Sequence, residues 1–183
     1  TVLLLLTLVR TDLLDGWRQT LDENAPNHFL INIQPHEVES VSSIFSENGI
    51  EPPPFTPMVR GRMLTINDVS VNDREYPDEG GAWLARREAN LTWASTMSTS
   101  NELVEGEWWP EGYDGPPLIS IEQEAAVETG LTIGDRLNFF VAGREVEGEI
   151  ASIRTVNWNS FQPNFFIVFS PGSFDGLPAT YIS

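Results

Sequence analysis

The sequence predicts an α+β protein of two lobes: an α/β main lobe, a β-α-β sheet with a helix, and a small mainly-β lobe inserted into it. Three observations carry this expectation. Two apolar runs, 29–33 and 165–169, lie far apart in the chain and both read as central strands of one sheet. An amphipathic helix pattern over 36–48 follows the first of them. Between 96 and 156 the pattern changes to short strands, tight turns and one short helix. The expected divisions are therefore 1–21, 22–95 and 157–183 as the two parts of the main lobe behind a leading segment, and 96–156 as the inserted lobe.

Thr1–Arg10 is almost purely apolar and breaks into Thr11-Asp12. Its composition suits a buried core helix or the end of a membrane helix, since nine apolar residues fall short of the ~20 that cross a bilayer. Residues 22–27 read as a linker. His28–Ile33 is expected to be a central strand, ended by Gln34-Pro35. Val38, Val41, Ile44 and Phe45 form one helical face over 36–48, and Gly49 stops it. Pro52-Pro53-Pro54 is an extended connector. Over 58–66 Arg60 and Arg62 alternate with Val59, Gly61 and Met63, which predicts a strand; Asn67-Asp68 turns it back into Val69–Val71.

Residues 72–81, with Asp73, Glu75, Asp78 and Glu79, read as an exposed acidic loop. Its spacing lacks the alternating ligands of an EF-hand, so cation binding over 73–79 has only composition behind it. Leu91–Trp93 reads as a brief strand and 97–101 as a Ser/Thr linker between lobes. Leu118–Val156 is the most regular stretch. It predicts a strand, a helix over 122–129 capped by Ser120 with Gln123 in a capping box, and a left-handed stop at Gly130. Gly134-Asp135 then turns into a hairpin closed by Ala142-Gly143. Short strands at 165–169 and 179–182 end the chain.

The balance of 10 basic against 27 acidic residues leaves a net charge of −17, and every basic residue is arginine. So negative a surface repels phosphate backbones, which excludes nucleic acid as a partner. Without cysteine, disulfides and thiolate metal sites are excluded too. His28 and His36 are the two histidines, and neither sits in a metal-binding or triad pattern. No serine elbow, P-loop or zinc helix is present. The chain thus reads as non-catalytic, with no cofactor and no metal.

Adjacent aromatics are the remaining signal. Trp108 and Trp109 cannot both face one core if they lie on a strand, and Phe139-Phe140 and Phe165-Phe166 raise the same question. Either a two-lobed molecule covers both faces of its sheets, or Trp108, Trp109, Phe140 and Phe166 form apolar contact points for a partner or ligand.

The block Glu122–Leu131 followed by Ile133-Gly134-Asp135 and a hairpin resembles the periplasmic core domain of FtsX-like and MacB-like permeases, the membrane subunits of a class of ABC transporters. Residues 12–21, 27–33, 157–166 and 178–182 are similar to the large two-repeat permeases of this family. The resemblance implies a soluble domain on the periplasmic face of the bacterial inner membrane, with 1–21 as the end of a membrane helix and its stalk. It implies a cytoplasmic ATPase subunit as partner through the parent permease, flanking membrane helices, and a periplasmic esterase or other envelope protein as associate. The implied role is to couple ATP-driven helix motion to export or extraction of a lipophilic or peptide cargo. The alternative is a stand-alone extracellular ligand- or carbohydrate-binding module that uses exposed tryptophan and acidic loops.

Overall fold

The structure is a computed structural model that describes residues 29–160 and 162–183. The expected membrane-helix end and stalk over 1–21, and His28, lie outside the described residues. Among those described, no helix is long and apolar enough to cross a membrane.

The described residues form three helices and nine strands in the order α1 (Val38–Glu47), β1 (Thr56–Ile66), β2 (Val69–Ser70), α2 (Glu79–Arg86), β3 (Glu88–Trp93), β4 (Asn101–Gly106), β5 (Leu118–Glu122), α3 (Gln123–Thr129), β6 (Arg136–Val141), β7 (Arg144–Val156), β8 (Ile167–Phe169) and β9 (Thr180–Ile182). The mixture of helix and strand is the expected α+β class.

Six of the strands close on themselves. β1 pairs antiparallel with β3, β3 parallel with β8, β8 antiparallel with β5, β5 parallel with β7, β7 antiparallel with β6, and β6 antiparallel with β1. The result is a small barrel whose interior side chains fill it. Leu91, Ile119, Leu137, Phe139, Ile150 and Phe169 are fully buried there. Two strands reach close approach through glycine: a Cβ on Gly148 would stand 2.9 Å from Ile119 and from Phe169. Register shifts at Met63/Thr65 and Ile119/Ser120 supply the local bends that closure needs. β2, β4 and β9 extend the ring at β1 and β7.

The strand pairing does not follow the expected division into a main lobe and an inserted lobe over 96–156. The strands of 96–156 join the others through β6 on β1 and β5 on β8, and Phe139 meets Phe169 edge-on at 5.8 Å in one core. The segment 29–33 is corrected. It is not a central strand: Ile33 makes one bridge to Tyr181, and Ile31 is 69% exposed. Asn32 adopts φ 61°, which breaks an extended run after a few residues. The segment borders β9, while β8 lies inside the ring between β3 and β5.

Local chemistry explains the parts that follow expectation. Arg60 and Arg62 face out while Val59, Gly61 and Met63 face in. Asn67 and Asp68 both take positive φ, as do Ala142 and Gly143, so each pair makes the tight turn a hairpin requires. Gly130 ends α3 at φ 66°. α1 forms, but none of its residues is buried among the described residues.

Two elements differ from expectation. The cap of α3 is Glu122, not Ser120: the Glu122 carboxylate accepts from the N–H groups of Glu124 at 3.0 Å and Ala125 at 2.8 Å. β5 runs on to Glu122, so Ser120 stays inside the strand and meets the Ser152 hydroxyl at 2.8 Å. The acidic stretch 72–81 is not wholly loop either. Asp78 accepts from the Gly81 N–H at 2.8 Å and starts α2.

Candidate functional site

α2 carries Gly80-Gly81 near its start, where each glycine costs a helix about 1 kcal/mol. Gly81 has a packing reason. A Cβ there would lie 1.9 Å from the carbonyl oxygen of Glu128, so only glycine lets α2 lie against the end of α3. Arg74 donates to the Gly130 carbonyl at 3.1 Å, and the Tyr76 hydroxyl donates to the Val71 carbonyl at 3.0 Å, which folds 71–78 onto the same surface.

Between these helices and one side of the barrel is an open cavity of about 270 Å³. Met58, Leu84, Ala125, Phe139 and Ile182 make it largely apolar, and Asn90, Asn164 and Arg87 add polar groups. Arg87 follows the last residue of α2, one turn beyond Trp83. Its guanidinium carbon sits 4.4 Å from the Trp83 ring and 5.7 Å from the Phe166 ring, both within cation–π range. Trp83 is 62% exposed, and Trp158 packs at a tilt against Phe166, ring centres 4.8 Å apart. Among the described residues Arg87 Nε is buried without a hydrogen-bond partner, and no carboxylate lies within ion-pair distance of Arg87.

A second cavity, of about 320 Å³, is bordered by Thr92, Asn101, Trp108, Gln162, Phe165 and Arg154. Arg154, on β7, is fully buried and reaches β5 and the segment just before β8. It donates to the Ser120 carbonyl at 2.7 Å and to the Phe165 carbonyl. Burial brings its pKa down to about 10, against the opposing pull of Glu122, so it remains charged at neutral pH.

The four aromatic candidates from the sequence are not brought together. Trp109 is 4% exposed and packs with Phe165 and Val168 in a second core cluster; Trp108 stacks on it at 4.0 Å. Their indole N–H groups donate to the carbonyls of Ser95 and Ala94. That leaves Trp109 as core. Phe140 lies 42% exposed on the outer face of β6. Phe166 alone belongs to the Arg87 cluster. Trp83, Arg87 and Trp158 are the residues that sequence reasoning passed over. Asp78 as a helix cap, with Trp83 and Arg87 four apart behind it, was the available signal. Among the described residues no group of three or more His, Asp or Glu side chains is placed to hold a metal ion.

Comparison with known proteins bears on what this surface serves. No family model and no solved structure matches the chain. Over 182 residues, the whole of the chain, it is 36% identical to a protein of Escherichia coli (strain K12) named "Uncharacterized ABC transporter permease YbbP". The chain is similar to part of an ABC transporter permease. It spans about a fifth of that permease, 21% of its length. The match runs through β1–β9 and so includes both cavities.

Proposed function

We propose that this chain is a non-catalytic domain of an ABC transporter permease, held on the periplasmic side of the inner membrane. The observation that carries it is the 36% identity to a permease across the whole chain. In this reading the flanking permease segments cross the membrane and a cytoplasmic ATPase subunit drives them. The domain passes their motion to a lipophilic or peptide cargo, or to an envelope partner such as a periplasmic esterase. The closed barrel supports a part that moves as one piece, since opening the ring means breaking ladder hydrogen bonds. The Arg87 cavity and its exposed aromatics are the contact surface that such a role would use.

Two experiments test the reading in the full-length permease. Glu102→Cys places a thiol on exposed β4, in a chain that has no cysteine of its own. A membrane-impermeant maleimide should label it from outside the inner membrane; labelling only after lysis refutes the periplasmic side. Replacing 29–183 by a short Gly/Ser linker should abolish the transport phenotype while the ATPase subunit still assembles with the permease. Unchanged transport refutes the role.

A further inference from the structure

We propose that the cavity beside α2 is a binding site for a small amphiphile with one carboxylate head, and that Arg87 is its anion-recognising residue. This goes beyond the transport role and stands or falls on the chain itself. Four observations converge on it. The cavity of about 270 Å³ sits just below the ~300–1,000 Å³ of ordinary small-molecule pockets, which suits a short ligand. Its wall is apolar along Met58, Leu84 and Ile182, so the body of the ligand is apolar. Arg87 is the cation of that wall, and it lacks any carboxylate partner among the described residues. Its Nε is buried with no hydrogen-bond partner among the described residues.

Two other arginines have the carboxylate partners that Arg87 lacks. Arg62, Arg74, Arg86 and Arg144 have none among the described residues either, so what sets Arg87 apart is its place in the apolar wall. In a chain with 27 acidic residues, Arg60 meets Glu88 at 4.0 Å, and Arg136 meets Asp68 and Glu147. Arg154, whose Nε likewise has no partner among the described residues, is held by backbone carbonyls. Arg87 is held by two aromatic rings instead, which orient a guanidinium without pairing it with a negative charge. A planar guanidinium pairs with a carboxylate through parallel hydrogen bonds. The net charge of −17 selects against doubly charged heads such as a phosphate monoester, because each added negative charge meets the same repulsion with one cation to offset it. Glu88, which also borders the cavity, is directed to Arg60.

Decanoate, decanol and decyl phosphate are the probes, titrated into the 183-residue chain by calorimetry at monomeric concentrations. Decanoate should bind at least tenfold more tightly than decanol or decyl phosphate, and Arg87→Gln should remove that advantage while leaving the weak decanol binding as it was. Trp83→Ala, at an exposed position whose loss spares the core, should weaken decanoate about threefold or more, the factor that ~0.7 kcal/mol of cation–π support represents. Equal binding of decanoate and decanol to the unaltered chain overturns the proposal without recourse to any variant. Decanoate binding that survives Arg87→Gln overturns the role of Arg87, and tighter decyl phosphate binding overturns the carboxylate assignment.

Discussion

Arg154, on β7, donates to the backbone carbonyl of Ser120, on β5, at 2.7 Å inside a fully buried site. The same guanidinium reaches the Phe165 carbonyl just before β8. One side chain thereby ties β7 to a carbonyl of β5 and to the segment that leads into β8. Burying a charge is costly unless its hydrogen bonds are made, so the site is strongly dependent on this residue.

Arg154→Ala should destabilise the chain by at least about 3 kcal/mol, because it opens a cavity and orphans buried carbonyls. Arg154→Met, which keeps most of the volume, should isolate the hydrogen-bond part at about 1–3 kcal/mol. Urea unfolding followed by far-UV circular dichroism measures both. A loss under about 1 kcal/mol for the alanine variant would show that water replaces the guanidinium without penalty.

Gly80 and Gly81 are adjacent, yet they should respond oppositely to alanine. At Gly81 the added Cβ would meet the Glu128 carbonyl at 1.9 Å, a backbone atom that cannot step aside without moving α3. Gly81→Ala should cost about 1–3 kcal/mol, the range for overpacking. At Gly80 the nearest atom is the Asp78 side-chain oxygen at 3.1 Å, and helix propensity favours alanine by up to about 1 kcal/mol. Gly80→Ala should therefore be neutral or stabilising. Melting temperatures of the two variants check the difference in sign.

These two glycines also show where the sequence could be read and where it could not. The alternation over Thr56–Ile66 and the hairpin of β6 and β7 were legible because strand period and turn residues are local properties. α2 was not, because Gly80-Gly81 looks like loop until the carbonyl of Glu128 is known to lie against it. Ring closure was hidden for a related reason. Leu91 lies beside Ile167 and Gly61 beside Val141, pairings between distant residues that no periodicity encodes. Apolar content alone made 29–33 look central, whereas Asn32 and the edge position beside Tyr181 decide otherwise. In the site, Phe166 was legible as an aromatic out of place. Arg87 was not, since its meaning comes from the acidic partners it lacks and from rings brought to it by α2 and by the approach to β8.

Asp135 ties two turns together. Its carboxylate accepts from the Thr132 N–H at 2.8 Å and from the Asn67 side-chain amide at 2.7 Å, while Asn67 accepts from the Arg136 N–H at 2.8 Å. Asp135→Ala should cost about 1–2 kcal/mol, less than the sum of two charge-assisted bonds because water replaces them at a solvent-exposed site. Hydrogen exchange should quicken at Thr132 and at Arg136 before it changes at the centre of β7. Uniform quickening throughout the barrel would mean that the turn opens only with global unfolding.

The seam between β1 and β6 separates two mechanical descriptions of the domain. Arg62 and Phe140 are cross-strand neighbours there, and both side chains point to solvent. Opposite residues of an antiparallel pair stand about 4.5–5.5 Å apart between Cα atoms, a span a disulfide accepts. In a full-length permease, Arg62→Cys with Phe140→Cys should form a bond under oxidation and leave transport at the level of the reduced form. That outcome follows if 56–66 and 136–141 travel together within one barrel, as ladder pairing requires. If the segment 96–156 parts from the rest during each cycle, the bond must be broken or the cycle must stop. Transport that falls on oxidation and recovers with reductant would therefore reject motion as one body, while the single variants Arg62→Cys and Phe140→Cys control for loss of either side chain.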